Sequence, residues 1–367
     1  MNVLQLISSS VGYYGAERVV VTLSAALQDM YVNTVVAAFE NSAKDCHLEV
    51  LNQAESYGLK TERIACHGRL DRQAIRTLRS LVERYEIDVI HCHGIKPVLY
   101  SLLATRGTKV GLVSTCHSWS IENKKDWLVS AVERCILHGI DRIVVVSDTL
   151  VPQLRRFGLR ADVINNGINL EPYRNLRSVV EQHAGWSGRP VVGAVGRLTP
   201  VKGLQFLLRA APEVVRENPD VLFLFVGDGP ERQALEDEAK SLGIQNSVCF
   251  LGVREDIPEL LSSMDVLAMP SLSEAMPMAL LEAMASGKAV VASRVGTIPS
   301  VIQERVNGIT LSPGDVSGLA SALNDLLRNK EFRTALGYNA RRTVESRFSA
   351  ACMARQYREL YGELTSC

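Results

Sequence analysis

The chain has 367 residues, more than one hydrophobic core ordinarily spans, and it fits two domains of roughly 150–200 residues. Its 40 Lys+Arg balance 40 Asp+Glu, so no global charge points to nucleic acid or to an acidic partner. With 47% hydrophobic and 22% charged residues the composition excludes a disordered chain, and eight scattered cysteines with no C-x-x-C pair argue for reduced thiols in a cytosolic setting rather than a disulfide framework or zinc site.

In chain order, the opening "MNVLQLISSSVGYYGAERVVV" lacks the basic region of a signal peptide and reads as a strand, Val3–Ile7, followed by a loop. Further strands are expected at Thr34–Phe39, Asp88–Cys92, Gly111–Cys116, Arg142–Val146 and Asp162–Ile164. Amphipathic helices such as "AERVVVTLSAALQDM" and "LDRQAIRTLRSLVERYE" fall between them. The pattern lapses from Asn165 to Arg189, which is the best linker candidate. It then resumes with strands at Val191–Val195, Val221–Val226, Val248–Leu251, Val266–Met269 and Ala289–Ala292. Such alternation predicts an α/β fold of two Rossmann-like domains facing a cleft, with ligands at the carboxyl ends of parallel strands. No run of about 18 apolar residues occurs, so no transmembrane helix is expected.

The stretch "SLSEAMPMALLEAMASGKAVVAS" is almost wholly apolar, yet it carries Glu274 and Glu282. Pro277 suits a first helical turn and Gly287 a stop, so the sequence predicts a buried helix between them. The amides of Met278, Ala279 and Leu280 at its N-terminus would form an anion site flanked by the two carboxylates. Two readings are open: hydroxyl acceptors on either side of a diphosphate, or ordinary salt-bridged glutamates. Apolar surroundings favour the first. An anion site between them disfavours a glycosidase acid–base pair.

"VVGAVGRLTPVKG" places Arg197 and Lys202 just past a strand, a fork and a point charge suited to a diphosphate, although two solvated loop cations would look alike. Gly15, before the first helix, permits close backbone approach, while Glu17 reads as a plain first-turn residue. The G-x-G-x-x-G fingerprint is absent from this loop, which disfavours a nicotinamide cofactor. His117 in "VSTCHSW" stands at a strand's carboxyl edge, expected to face the cleft, whereas His91 and His93 read as cleft or packing residues and not a metal site. "VGDGP" supplies Gly227 and Gly229 for a tight turn or close ligand approach. The acidic run Glu236–Glu238 reads as a solvated helix face. So does the face carrying Arg72, Arg76 and Arg79, with an anionic acceptor or lipid headgroups as the other reading.

Together "SEAMPMALLEAMASG", "GRLTPVKG", "VGDGP", "VINNGIN" and the terminal "FSAACMARQYRELY" resemble the family-4 retaining glycosyltransferases of GT-B fold. The resemblance implies an N-terminal acceptor-binding domain (1–170), a C-terminal donor-binding domain (171–346) and a last helix (347–367) returning to the first domain. It implies retaining, metal-independent transfer of a hexose-type sugar from a nucleoside diphosphate, UDP- more than GDP-, to a glycan or glycolipid hydroxyl, with no cofactor. By the same resemblance Arg197 and Lys202 neutralise the diphosphate, Glu274 holds sugar hydroxyls and Glu282 the ribose. Main chain near Val253 contacts the base, Gly15 the phosphate, and His117 the donor sugar. The sequence departs from the family pattern at Tyr14, at Ala275–Met276–Pro277, and at Thr297 and Ser300. A nucleotide-sugar 2-epimerase or a non-catalytic sugar-nucleotide-binding protein are the competing expectations. The resemblance also implies a bacterial-type, cytoplasmic enzyme with at most a peripheral contact at the inner membrane face, and no nucleic-acid partner.

Overall fold

The computed structural model describes residues 1–8, 15–40, 48–68, 70–117, 136–174 and 186–365. By its internal contacts the chain divides into two units, Met1–Gly167 together with Ala350–Cys367, and Ile168–Ser349. The divisions fall three residues from the expected positions 170/171 and 346/347. Part of the expected linker, 175–185, and most of the loop before the first helix, 9–14, lie outside the described residues.

The first unit is built on a seven-stranded sheet in the order β3-β2-β1-β4-β5-β6-β7. Its strands are β1 Asn2–Ser8, β2 Asn33–Glu40, β3 Lys60–Ala65, β4 Val89–His93, β5 Gly111–Cys116, β6 Arg142–Val145 and β7 Asp162–Val163. All its pairings are parallel, with Val3 opposite Thr34 on one side and Val89 on the other. β1 and β4 are buried along nearly their whole length, as strands covered on both faces must be.

The second unit has six strands in the order β10-β9-β8-β11-β12-β13. They are β8 Val191–Val195, β9 Leu222–Val226, β10 Val248–Gly252, β11 Val266–Met269, β12 Ala289–Ser293 and β13 Ile309–Leu311, again all parallel. Its core gathers Val192, Phe223, Phe225, Val266 and Val291 from the sheet against Leu207, Leu208, Leu323 and Leu326 from helices. Both orders run outward from a first strand in two directions, so the crossovers reverse hand of travel between β1 and β4, and again between β8 and β11.

β3 and β13 escape the strand signals of the sequence. β3 is an edge strand whose Lys60 and Arg63 remain exposed on opposite parities, so its alternation is blurred. β13 has only three residues.

The helix Arg72–Arg84 starts where expected, with the Asp71 carboxylate accepting from the amides of Gln73 and Ala74. Arg79 corrects the reading of its arginine face. Instead of standing free in solvent it donates to the carbonyls of Ala104 (3.0 Å) and Arg106 (2.9 Å), satisfying the end of the neighbouring helix Ile95–Ala104. Arg72 and Arg76 stay exposed.

The C-terminal helix Ala350–Thr365 packs in the first unit, burying Met353, Tyr357, Leu360 and Tyr361. There Arg142 of β6 pairs with Asp162 of β7 and with Glu363 of that helix. Among the described residues no helix is long and apolar enough to cross a membrane.

Candidate active site

Each reversal point carries a cluster of polar side chains, on the loops leaving the central strands in the second unit and largely within β1, β4 and β5 in the first. In the second unit these are the loop after β8, with Gly196, Arg197 and Lys202, and the loop after β11, with Ser271 and Glu274. Lys202 Nζ donates to Glu274 Oε1 at 2.6 Å, and Ser271 Oγ donates to the same oxygen at 2.7 Å. The side chains are 25% and 8% exposed respectively, so the carboxylate has surrendered most of its water for two strong donors. Glu274, expected to await sugar hydroxyls, therefore already has a cation and a hydroxyl as partners. Of the residues expected around a diphosphate, Arg197 and Lys202 come together here, on a depression of about 250 Å³ including its open mouth. Gly196, Arg197, Lys202 and Ser271 line it, and Arg197 is exposed on the loop.

The glutamate loop is held from behind. The Thr297 amide donates to the Ala275 carbonyl at 3.2 Å, and its hydroxyl donates to the same oxygen. Gly296 has φ 54°, and a Cβ placed there would lie 1.6 Å from the Glu274 carbonyl oxygen. The lysine loop is tied to the glutamate loop by the Leu272 amide donating to the Val201 carbonyl (2.8 Å). Gly203, φ 61°, lets the Pro270 carbonyl approach to where a Cβ would stand 2.2 Å away. Gly227 and Gly229 likewise serve loop packing. The Gly196 amide donates to Val226 and the Leu198 amide to Asp228, both across to the β9 loop. Thr297 was visible in the sequence only as a departure from the family pattern; its hydroxyl gives it a use there.

The helix after the glutamate loop is Met278–Ala285, with Pro277 at its cap rather than in its first turn. An extended ψ of 122° at Pro277 turns the chain into the helix. The Leu280 amide is taken by the Pro277 carbonyl at 3.2 Å. That corrects the expected trio of amides: only those of Met278 and Ala279 remain without a carbonyl acceptor among the described residues. Gly287, φ 68°, closes the helix as predicted, its amide donating to Met284. Glu282 is buried in the helix at 4% exposure. Val253, by contrast, is 79% exposed beyond β10. The acidic run faces solvent and pairs with Arg232 and Arg209.

In the first unit Gly15 opens the helix Gly15–Gln28, and Glu17 is buried there rather than an ordinary surface residue of a first turn. At the β1/β4 reversal a chain of polar groups fills the interior. His93 Nδ1 lies 2.9 Å from His117 Nε2, and His93 Nε2 lies 2.8 Å from Gln5 Oε1. Gln5 Nε2 donates to the Tyr361 hydroxyl (3.3 Å), which is 2.6 Å from His91 Nδ1. His91 Nε2 meets Thr115 Oγ1 at 2.7 Å, and Thr115 meets the Tyr357 hydroxyl at 2.8 Å. His91 and His93 are thus interior hydrogen-bonding residues, with ring centroids 4.2 Å apart. Burial pushes both well below the ordinary imidazole range, neighbouring histidines adding to it, and pushes His117 down to about 4. Gln5, Tyr357 and Tyr361 were missed in the sequence. An inward-facing Gln within "NVLQLIS" was the available signal, the same anomaly that exposed the two glutamates. Among the described residues no group of three His, Cys, Asp or Glu side chains could hold a metal ion.

With this geometry in view, residues 13–172 match Glycosyltransferase Family 4 and residues 180–343 match Glycosyl transferases group 1, one match for each unit. The chain belongs to the family-4, group 1 glycosyltransferases. It is 27% identical to N-acetyl-alpha-D-glucosaminyl L-malate synthase of Bacillus anthracis, over 77% of each chain. It is 26% identical to UDP-Gal:alpha-D-GlcNAc-diphosphoundecaprenol alpha-1,3-galactosyltransferase of Escherichia coli, over 79% of each. The crystal structure of Anabaena HepE in complex with UDP superposes with a TM-score of 0.84 at 23% identity, covering 99% of this chain and 100% of that one. That likeness places the glycosyltransferase in the GT-B fold.

Two outcomes follow for stability. Gly296→Ala costs about 2–6 kcal/mol, because a left-handed backbone and an overlap with the Glu274 carbonyl each contribute roughly 1–3. Gly188→Ala, at φ 78° with nothing within 4 Å, carries the backbone part alone, and urea unfolding of the two variants separates the effects. The histidines make the glycosyltransferase acid-sensitive. Unfolded, each takes up a proton near its ordinary value of about 6.5, whereas folded they stay neutral well below it. Their contribution is complete above about pH 6.5 and is lost as pH falls toward the folded value of His117, about 4. Thermal midpoints drop between pH 7.5 and 5 by roughly 2–4 °C for each kcal/mol lost. The drop shrinks in His93→Gln; an equal drop in that variant assigns the sensitivity elsewhere.

Proposed function

We propose that the enzyme transfers a hexose-type sugar, with retention and without a metal ion, from a UDP-sugar to a hydroxyl of a glycan or lipid-linked glycan. The observation that carries the reading is the Lys202–Glu274–Ser271 cluster beside Arg197 at the β8/β11 reversal. Cations fixed where a diphosphate departs stabilise the charge that develops on it, ordinarily a leading catalytic contribution. In this reading Arg197 and Lys202 bind the diphosphate with the Met278 and Ala279 amides. Glu274, released in part from Lys202, orients sugar hydroxyls; Glu282 takes the ribose, main chain at Val253 the base, Gly15 the phosphate and His117 the sugar. Two similar proteins support the donor and acceptor classes: the galactosyltransferase that acts on a diphosphoundecaprenol-linked sugar, and HepE, whose structure is also known with UDP-glucose. A 2-epimerase would convert a UDP-sugar with no acceptor present, and a binding protein would turn over nothing.

Thermal shift against UDP-glucose, UDP-galactose, UDP-N-acetylglucosamine and GDP-mannose, followed by UDP or GDP release with polyprenyl-diphosphate sugars as acceptors, tests the assignment. Lys202→Ala and Glu274→Gln lower turnover by about a hundredfold or more, as loss of a preorganised charge does, while keeping the wild-type circular dichroism spectrum. Full turnover in either variant sinks the site. EDTA leaves turnover intact; its abolition by chelation, restored by a divalent ion, overturns the metal-independent reading.

A further inference from the structure

The polar chain of the first unit has a direction, and the direction fixes protons. The Gln5 amide is the only member that donates with one end and accepts with the other without titrating. Its Nε2 donates to the Tyr361 hydroxyl, so that hydroxyl spends its own proton on His91 Nδ1. His91 then carries its proton on Nε2, which donates to Thr115 Oγ1. On the other side Gln5 Oε1 accepts, so His93 carries its proton on Nε2. His93 is buried and neutral, which leaves its Nδ1 a bare acceptor. Facing it at 2.9 Å, His117 Nε2 must be the donor. A neutral His117 with its proton on Nε2 keeps a lone pair on Nδ1, for which the described residues supply no donor.

From this we infer that Gln5 and His93 are positioning residues that lock His117 in the Nε2–H tautomer and present its Nδ1 as a neutral hydrogen-bond acceptor toward a substrate hydroxyl. The inference rests on the proposed contact between His117 and the sugar, and it narrows that contact. The substrate group is a donor, as a sugar hydroxyl is, and not a phosphate or carboxylate oxygen. The His93 and His117 rings meet edge to edge and nearly coplanar, their planes 23° apart and their centroids at 5.2 Å, the arrangement an N–H···N bond between two imidazoles favours. Tyr361 anchors the far end of the chain, so the C-terminal helix takes part in setting the tautomer.

Full-length protein labelled with 15N-histidine, with signals assigned through His117→Gln, reports each ring nitrogen directly. The wild type is expected to show His117 protonated at Nε2 and bare at Nδ1 at pH 7.5. Gln5→Leu and His93→Leu are expected to give a mixture of tautomers at His117. His93→Asn, whose Oδ1 still accepts from Nε2–H, retains the single tautomer. Turnover, measured as UDP release from UDP-glucose, UDP-galactose or UDP-N-acetylglucosamine, falls about ten- to a hundredfold in kcat for the Leu variants with KM within about twofold, the scale on which an outer partner orients a reacting group. His93→Asn recovers most of it. Should Gln5→Leu fail to fold, Tyr361→Phe, lacking one hydroxyl, loosens the tautomer from the other end. A wild-type His117 protonated at Nδ1, or a single Nε2–H tautomer surviving in both Leu variants, overturns the inference. Undiminished turnover by His117→Ala beside the expected spectrum overturns instead the substrate contact on which the acceptor assignment rests.

Discussion

In a wholly parallel sheet every strand delivers its chain to the same edge, and the helices that follow cover the sheet by turns on either face. Where the winding reverses, the two outgoing loops part company and no helix can cover the space between them. This enzyme has two such places, β1/β4 and β8/β11, and its improbable polar residues stand at one or the other. Burying charge or imidazole elsewhere in these sheets would have no opening to face. At the reversals, the same residues lie beside the one edge that a ligand can reach.

The two places solve the desolvation problem differently. At β8/β11 a carboxylate is kept charged by a lysine and a serine on neighbouring loops, and the loops are fixed by contacts that tolerate no added atom at Gly203 or Gly296. At β1/β4 charge is avoided. Burial holds three imidazoles neutral, and among the described residues every fully buried side-chain nitrogen and oxygen has a hydrogen-bond partner.

Much of this was legible in the residues. Parallel α/β architecture followed from alternating strand and helix patterns, and eleven of the strands stand near their expected positions. Lys202, Arg197 and Glu274 announced themselves as charge in apolar surroundings near strand ends. Hidden from the sequence was who pairs with whom. Glu274 was expected to lack partners because Lys202 is 72 positions away, and nothing in a linear reading brings two loops of different crossovers together. Pro277 fits either a cap or a first turn by its φ alone, and only the extended ψ decides. Gln5, His93 and Tyr361 each look like packing residues singly; their meaning lies in the order of donors and acceptors, which is three-dimensional.

The return of the C-terminal helix to the first unit bears on how the chain comes into being. Domains emerging from a ribosome generally fold from the N-terminal side as they appear. Here Gln5 must wait for a hydroxyl 356 residues downstream, and Thr115 for one 242 residues away. Until residue 361 is made, the interior of the first unit holds a glutamine and imidazoles with partners missing, an arrangement that costs stability rather than adding it. The second unit, continuous from Ile168 to Ser349, has its whole sequence available before then. The unit synthesised first is therefore the one completed last, and during translation it is the half of the enzyme that depends on protection from misfolding.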